Sequence, residues 1–389
     1  MKTIAAIFQG DIFRRRGLVN AAISRINYLI QTSEYEIVPY VLCYYYPWYL
    51  RLLFKYPRIE RKKKETIDGV DYNILWGKFS VINYIFYNKL HTIPLLDVVF
   101  YRKKASLFKK YDLLTVHSTG PGLIAYHTFK RYHIPYCITW HGSDIHSNPN
   151  ENSYIKGVTN LLLKNASMNF FVSKNLEQIA HKLSPEFKSS ILYNGVDTSF
   201  RCFDDEHIKN LKAEFGIQDC KVVAFVGNLY KVKNIKSLPG IFSNIQQDYN
   251  GRVCFWVIGD GDERQWLTEE IKNKHVANVV LWGNQDSKKM VNFMNCIDVL
   301  VLPSLNEGLP LVTLEALKCG CNVVGSNVGG IPEVIGKDNC FALDEQFEEN
   351  ISARIFYMLS NKVSQSVDSC FDWNLTAKKE NAVYKIILE

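Results

Sequence analysis

Short apolar runs alternate with longer segments whose apolar residues recur every three or four positions along most of this chain. The segments between the runs, such as residues 18–30 behind Gly17, have the period of amphipathic helices. Strands that alternate with helices predict parallel sheets covered on both faces. The runs that predict strands are residues 3–9, 37–44, 113–116, 136–140, 168–172, 190–192, 221–226, 253–258, 279–281, 299–302 and 322–324.

The alternation lapses near residues 197–205 and then restarts. A chain of 389 residues also exceeds the size at which one core keeps growing. We therefore predict an α/β fold of two doubly wound, Rossmann-like domains, residues 1–197 and 198–370. Residues 371–389 are detached from the second sheet pattern and predict a helix that packs back on the N-terminal domain. Because doubly wound sheets bind ligands beyond their carboxyl ends, the expected site is the cleft between the facing domains.

Charge is distributed unevenly along the chain. Residues 1–200 contain 26 Lys and Arg against 14 Asp and Glu, whereas the remainder has a net charge of −5. This imbalance predicts an anionic partner for the first half. No run reaches the roughly 20 apolar residues that a membrane-spanning helix requires. Ten scattered cysteines and a strand-like start predict a cytoplasmic protein.

Two segments of the basic half, residues 47–64 and 101–110, interleave aromatic and leucine side chains with Lys and Arg. This mixture suits a protein that rests on the inner, anionic face of the plasma membrane. A solvated basic face over an ordinary core explains the same pattern, and both interpretations stay open. We expect no nucleic-acid partner, because no recognised binding module surrounds these segments.

The segment from residue 304 to 315 carries the most specific chemistry. It follows a buried strand, turns at Gly308 and enters a predicted helix with Pro310 at its first position. The free N–H groups of a helix start form a phosphate site. Two acids beside it, Glu307 and Glu315, would repel phosphate, so we assign them to sugar hydroxyls. The segment therefore predicts a nucleotide-sugar site.

The sequence argues against a dinucleotide site and against a metal site. Gly259-Asp260-Gly261 lacks the G-x-G-x-x-G spacing of a dinucleotide fold, so we reject NAD binding. No cluster of His, Asp and Glu predicts a metal site, and no cofactor is expected.

A series of short motifs then resembles a known family. They are Asn194-Gly195-Val196-Asp197, Phe225-Val226-Gly227-Asn228-Leu229, Lys233, Gly259-Asp260-Gly261, Trp282-Gly283, Pro303-Ser304 with Glu307-Gly308-Leu309-Pro310, Glu315-Ala316, and Gly329-Gly330-Ile331-Pro332-Glu333. In this order the C-terminal half resembles the retaining GT-B glycosyltransferases of family GT4. The N-terminal half is similar more loosely, through Gly10, Gly17, His117 and His141-Gly142-Ser143-Asp144.

The resemblance implies roles for individual residues and metal-independent chemistry. His141 would contact the transferred sugar, Lys233 the diphosphate and Glu307 the sugar hydroxyls, and these three are the expected catalytic residues. Asp144 is assigned to structure, as a helix cap. The residues expected to bind the nucleotide sugar are Gly10, Gly17, Asn228, Gly283, Gly308, Leu309, Pro310, Val312, Thr313 and Glu315, with Val312 and Thr313 offering backbone N–H groups and Glu315 holding the ribose.

One position departs from the family pattern. Asn228 stands where members usually carry an Arg that contacts phosphate, and Asn brings no charge. Either Lys231 supplies the charge, or phosphate is bound more weakly, or the donor lies differently. For Lys231 we favour the interpretation that it is a solvated lysine in a loop.

The resemblance predicts a hexosyltransferase that uses a UDP- or GDP-linked sugar. Its acceptor would be a glycan or a polyprenyl-diphosphate-linked chain, as in capsule, O-antigen or exopolysaccharide synthesis. Alternatives on the same architecture are a nucleotide-sugar epimerase, a phosphorylase, for which no Schiff-base lysine is identified, and a degenerate glycan-binding scaffold.

Overall fold

The computed structural model describes residues 1–13, 17–53, 58–90 and 92–389. The chain forms two compact units, the first comprising residues 1–194 and 372–389 and the second residues 195–371.

The strands are β1 (Thr3–Gln9), β2 (Glu36–Tyr45), β3 (Lys64–Ile67), β4 (Val70–Lys78), β5 (Leu113–His117), β6 (Tyr136–Trp140), β7 (Met168–Phe171), β8 (Ser189–Ile191), β9 (Lys221–Val226), β10 (Val253–Ile258), β11 (Val279–Gly283), β12 (Val299–Leu302), β13 (Asn322–Ser326) and β14 (Cys340–Phe341). The helices are α1 (Gly17–Thr32), α2 (Trp48–Leu53), α3 (Val81–Asn88), α4 (Leu95–Lys104), α5 (Thr119–Tyr132), α6 (Ser143–His146), α7 (Asn148–Glu151), α8 (Ser153–Asn165), α9 (Lys174–Leu183), α10 (Asp205–Glu214), α11 (Leu238–Asp248), α12 (Arg264–Asn273), α13 (Ser287–Cys296), α14 (Leu311–Lys318), α15 (Ile331–Ile335), α16 (Phe347–Ser360) and α17 (Trp373–Leu388).

The first unit is built on an eight-stranded sheet with the order β3-β4-β2-β1-β5-β6-β7-β8. All its neighbours are parallel except β3 and β4, which form a hairpin. The apolar periodicity did not predict this hairpin, because charged residues surround it. Its turn, Asp68-Gly69, has φ angles of 49° and 83°. An Asp-Gly pair of this kind is a strong hairpin signal that was available in the sequence.

The second unit contains a wholly parallel six-stranded sheet with the order β11-β10-β9-β12-β13-β14. Strand β12 is fully buried and β10 is buried except at Cys254, as expected for a sheet covered by helices on both faces. The two-residue strand β14 was not predicted, since so short a run has no detectable period.

The C-terminal helix α17 packs against α1 in the first unit. A buried ion pair joins them: Arg25 Nε donates a hydrogen bond to Glu380 Oε2 at 2.6 Å. Thr115 Oγ1 and the Tyr384 hydroxyl also donate to Glu380. The helix is therefore fixed by polar contacts as well as by apolar packing.

Within the described residues, no helix combines the length and apolar character needed to cross a membrane.

Candidate functional sites

The strand order of the second unit creates a topological switch point. From β9 the chain continues to β10 on one side, whereas β12 lies on the other side of β9. The loops that follow β9 and β12 carry Lys233 and Glu307. Because ligands of doubly wound sheets bind beyond the carboxyl ends of the strands at such a point, these loops form the first candidate site.

Lys233 and Glu307 contact each other directly. Lys233 Nζ donates to Glu307 Oε1 at 2.5 Å, and Ser304 Oγ donates to the same oxygen at 2.7 Å. The two charged side chains are 22% and 11% exposed, so the pair is sheltered but reachable. It places a cation and a hydrogen-bond acceptor together. This combination suits a ligand that carries both phosphate and hydroxyl groups.

Backbone contacts fix the Glu307 loop in place. Leu305 N donates to Val232 O at 2.8 Å, which ties it to the Lys233 loop. On its other side, Gly329 has a φ of 54°, and a Cβ there would lie 1.8 Å from Glu307 O. Only glycine permits this approach, which explains the residue type at that motif position.

The structure corrects the predicted start of the helix after this loop. Pro310 is the residue before the first turn of α14, which begins at Leu311, rather than its first helical residue. Thr313 N already donates to Pro310 O at 3.3 Å. The turn at residues 308–310 is buried. The N–H groups of the helix start remain near the site, with Val312 one residue into the helix.

Glu315 lies one turn further along α14 and is partly buried. Burial, and to a smaller extent the nearby charge of Asp197, raises the pKa of its carboxyl to about 7. The group is therefore poised between its neutral and charged forms near neutral pH.

The loop after β9 also contains Asn228 and Lys231, the two residues concerned in the departure from the family pattern. Asn228 is half-buried, and its carbonyl accepts from Tyr230 N at 2.9 Å. Lys231 is exposed, unlike Lys233 two residues on. This exposure matches the interpretation of Lys231 as a solvated loop lysine.

Gly283 closes the same edge of the sheet at the end of β11, with a φ of 67°. Its carbonyl accepts from Gly259 N at 2.8 Å. Arg264, which was not among the predicted residues, also lies here, and its Nη2 donates to Leu281 O at 3.3 Å. The sequence signal that could have identified Arg264 was a basic residue at the first position of a helix, shortly after the Gly259-Asp260-Gly261 turn.

The first unit carries a second candidate site at its own switch point, between β1 and β5. His117 ends β5, and His141 follows the neighbouring strand β6. The structure brings these two predicted residues together, with His117 Nδ1 2.8 Å from His141 Nε2. One ring must donate and the other accept, so this contact requires at least one neutral ring.

The environment of the histidine pair disfavours the charged form of both rings. Burial, and to a smaller extent the charge of Arg25, lowers the pKa of His141 to about 3. Burial also lowers the pKa of His117 well below its ordinary value, with added repulsion from His141 and Arg25. Both are neutral at pH 7, so His141 can offer a ligand a hydrogen bond but no positive charge.

A cavity of about 320 Å³ opens beside these strand ends. Gln9, Ser118 and Asp144 supply polar lining atoms, and Tyr87 and Tyr101 supply aromatic ones. Several hydrogen-bonding groups around a semi-enclosed space suit a polyhydroxylated ligand.

Asp144 was predicted to cap a helix, and its Oδ1 accepts from the backbone N–H of Gly142, the residue before α6. It is the second residue of α6, is 5% exposed, and lines the cavity. Burial raises its pKa to about 6, although a 3.0 Å hydrogen bond from the Gly142 N–H to Asp144 Oδ1 opposes the rise. Ser118 has a φ of 71°, a strained conformation for a side-chain-bearing residue. Gln9 and Ser118, which line the same cavity, were not among the predicted site residues.

The two glycines predicted for the first loop differ in their surroundings. A Cβ at Gly10 would lie 2.3 Å from Val19 Cγ2, whereas a Cβ at Gly17 would meet nothing within 4 Å. Gly10 is therefore required for packing against α1, and Gly17 is not constrained in this way. Arg14, Arg15 and Arg16 of this loop, and residues 54–57 of the basic–aromatic segment, lie outside the described residues.

In the part of the chain that the structure describes, His, Cys, Asp and Glu side chains form no group of three or more that could hold a metal ion.

Comparison with known families identifies the sequence type. Residues 207–379 match the family described as glycosyl transferases group 1, and residues 74–200 match glycosyltransferase family 4. Together these two regions include most of both units.

Two curated relatives are similar over more than half of the chain. N-acetyl-alpha-D-glucosaminyl L-malate synthase of Bacillus anthracis is 29% identical over 68% of this chain and 68% of its own length. The putative teichuronic acid biosynthesis glycosyltransferase TuaC of Bacillus subtilis is 30% identical over 58% of this chain. The match spans only 56% of the length of TuaC.

Solved structures share the fold of the whole chain. Sucrose-phosphate synthase from Thermosynechococcus elongatus has a TM-score of 0.75 at 15% identity, covering 100% of this chain and 99% of that one. HepE from Anabaena, in complex with UDP and glucose, has a TM-score of 0.68 at 16% identity, covering 98% and 97%. The predicted GT-B fold of two α/β domains with parallel sheets is confirmed.

Proposed function

Because the chain belongs to the group 1 and family 4 glycosyltransferases, we propose that it transfers a hexosyl residue from a nucleoside diphosphate sugar to a glycan or lipid-linked acceptor. We propose further that the anomeric configuration is retained and that the product enters a surface polysaccharide. The observation that carries the proposal is the Lys233–Glu307 pair at the switch point of the second unit.

The residues of the second unit divide the donor between them. Lys233 offsets the charge of the diphosphate as the nucleotide leaves, since a fixed cation stabilises developing negative charge. Glu307 accepts hydrogen bonds from the sugar hydroxyls, and Lys233 keeps its carboxylate compatible with a nearby phosphate. The first turn of α14 offers N–H groups to the diphosphate. Glu315, one turn on, accepts from the ribose hydroxyls.

In this proposal the first unit contacts the transferred sugar and binds the acceptor. His141, held neutral by burial and oriented by His117, gives a hydrogen bond to the transferred sugar. The cavity beside Ser118 and Asp144 takes the acceptor hydroxyl-bearing group. Such a site orders the reacting groups without adding charge.

The names of the relatives support particular reagents. HepE was solved with UDP and with UDP-glucose, which supports uridine nucleotides as the first donors to test. TuaC is named for teichuronic acid biosynthesis and WclY of Escherichia coli for O-antigen biosynthesis, which supports a polysaccharide acceptor. L-malate belongs in the acceptor panel, because the Bacillus anthracis relative is named N-acetyl-alpha-D-glucosaminyl L-malate synthase.

The proposal is tested by incubating the protein with a panel of UDP- and GDP-sugars and measuring nucleotide release with and without acceptor. Isothermal titration with UDP and GDP measures binding separately. We expect nucleotide binding, and release that acceptor accelerates. Conversion of the nucleotide sugar without acceptor would indicate an epimerase, and failure to bind any nucleotide would indicate a non-catalytic scaffold.

We also propose that transfer needs no metal ion, and this statement and retention have their own measurements. Proton NMR of the product, recorded early in the reaction, distinguishes retention from inversion of the anomeric centre. Turnover in excess EDTA tests metal independence. Inverted product would overturn retention, and loss of activity restored by a divalent cation would overturn metal independence.

A further inference from the structure

Exposed apolar side chains are concentrated in one part of the first unit. Among the described residues, eleven large exposed apolar side chains fall between Trp48 and Val99, against six in the whole of residues 195–371. Leu52 and Leu95 are each 74% exposed and Trp48 is 67% exposed. Single exposed apolar residues are ordinary on proteins, but such a concentration marks an interaction surface.

The secondary structure brings two of these segments to the same edge of the sheet. Helix α2 follows β2 and helix α3 follows β4, and the two strands are parallel neighbours in which Tyr45 pairs with Lys78. Phe79 N donates to Tyr45 O at 3.0 Å, just before α3 begins. Both helices therefore start side by side, beyond the carboxyl ends of β2 and β4.

Helix α4 is joined to α3 by a buried polar contact. Asp97 Oδ2 accepts from Asn83 Nδ2 at 2.8 Å and from the Tyr87 hydroxyl at 2.5 Å. Asn83 and Tyr87 are four residues apart and so share the inner face of α3. The outer faces of both helices are exposed and apolar. Their exposed residues are Val81, Ile82, Ile85, Leu95, Leu96 and Val99.

Basic side chains border these apolar faces. Arg102 and Lys103 extend the exposed side of α4. The described basic residues 58–63 lie at the same sheet edge, because Trp76 Nε1 donates to Lys62 O at 2.7 Å and the Arg61 guanidinium lies 4.5 Å from the Tyr45 ring. Residues 48–110 contain 14 Lys and Arg against 5 Asp and Glu. The apolar faces thus lie in a strongly positive surround.

We infer that the outer faces of α2, α3 and α4, together with residues 58–63, form a docking surface for a bilayer that contains anionic phospholipid. Apolar side chains enter the acyl boundary while Lys and Arg meet the headgroups, and each contribution alone gives weak binding. An acidic protein partner would need apolar side chains placed to fit three separate helix faces. A bilayer with anionic lipid offers apolar chains and negative charge at every point of its surface.

The docking surface adjoins the cavity that the proposed function assigns to the acceptor. Tyr87 of α3 and Tyr101 of α4 line the cavity beside Ser118 and Asp144. A lipid-linked acceptor held in the bilayer would therefore have its glycan end next to that cavity. The role of the surface in acceptor binding rests on the proposed function, but vesicle binding measured without donor or acceptor does not. A protein that binds vesicles without transferring sugar would contradict only the proposed function, and one that transfers sugar without binding vesicles would contradict only the docking surface.

The test is co-sedimentation of the full chain with vesicles of phosphatidylcholine alone or mixed with phosphatidylglycerol. We expect binding to the mixed vesicles that weakens as salt is raised, and much weaker binding to phosphatidylcholine. Two double variants, Leu52→Ser with Leu95→Ser and Arg102→Glu with Lys103→Glu, should each weaken binding by about tenfold or more.

Matched controls come from α17, which also has exposed apolar and basic side chains. Ile386→Ser, at a residue 77% exposed, and Lys378→Glu with Lys379→Glu should bind vesicles like the unaltered protein. All variants should keep the unaltered melting temperature, since every substituted side chain is exposed.

Equal binding by the surface variants and the unaltered protein would overturn the inference, as would equal losses in the α17 controls. Analytical ultracentrifugation tests a second copy of the chain as the occupant. A dimer that becomes monomeric on Leu52→Ser with Leu95→Ser would assign the surface to self-association and overturn the membrane inference.

Discussion

A 2.5 Å contact joins Lys233 Nζ to Glu307 Oε1, so the cation expected at the diphosphate and the acid expected at the sugar share one hydrogen bond. The two residues are 74 positions apart in the sequence. Each side chain therefore depends on the other, because replacing one of them leaves the other charged and sheltered without a partner.

Alanine at Lys233 or at Glu307 should lower kcat/KM for transfer by about 100-fold or more, because each removes a group placed against charge or hydroxyls in the transition state. Steady-state nucleotide release measures this. Lys231→Ala is the matched control, since Lys231 lies in the same loop but is exposed. Near-normal turnover by both the Lys233 and Glu307 variants would contradict the assignment of this site.

Donor binding should depend on pH through Glu315, whose pKa is raised to about 7. The carboxylate accepts ribose hydroxyls better than the neutral acid, so affinity should fall as pH drops from 8.5 to 5.5. Titration calorimetry with UDP across this range gives the profile. Glu315→Gln should flatten it at a lower affinity. An unchanged profile in this variant would assign the pH dependence to another group.

The same raised pKa predicts an effect on stability. An acid whose pKa is higher in the folded than in the unfolded state destabilises the fold when it ionises. Stability from this group is full below its ordinary pKa of 4.5 and is lost as pH rises through about 7. Urea unfolding at pH 5 and pH 8 should therefore show a smaller difference for Glu315→Gln. A difference equal to that of the unaltered protein would contradict this prediction.

Gly10→Ala should destabilise the first unit by about 1–3 kcal/mol, because the added methyl meets the stiff Val19 side chain at 2.3 Å. Thermal unfolding measures the loss, and Val19→Ala in the same chain should recover part of it. Gly17→Ala is the control and should be tolerated, since its Cβ would meet nothing within 4 Å. Equal effects at both glycines would contradict the packing argument.

Glu380→Leu should cost about 3–5 kcal/mol, because it leaves Arg25 charged and buried without a partner. Arg25→Met combined with Glu380→Leu should recover much of that loss in urea unfolding. Lys385→Ala serves as the control on α17, since its pair with Glu389 is exposed. A double variant less stable than Glu380→Leu alone would contradict this account of the pair.

The sequence predicted most of the fold because strand and helix periodicity is local. The run 299–302 coincides with β12, and the helix behind Gly17 is α1. The β3–β4 hairpin was missed where charges interrupt the apolar run, although its Asp-Gly turn was visible. Pro310 was placed one residue too far into α14, because helix ends depend on hydrogen bonds that spacing alone does not reveal.

By itself, the sequence determined the alternation of strands and helices, the order of the motifs and hence the family. It also identified Lys233, Glu307, His117 and His141 as separate candidates. Only the tertiary structure decided which of them meet: Lys233 with Glu307, and His117 with His141 across 24 residues. It also paired Arg25 with Glu380 across 355 residues and placed Asp144 in a cavity wall as well as at the start of a helix. The physical reason is that periodicity reports each element's own burial, whereas contacts between loops follow from the order in which strands join a sheet.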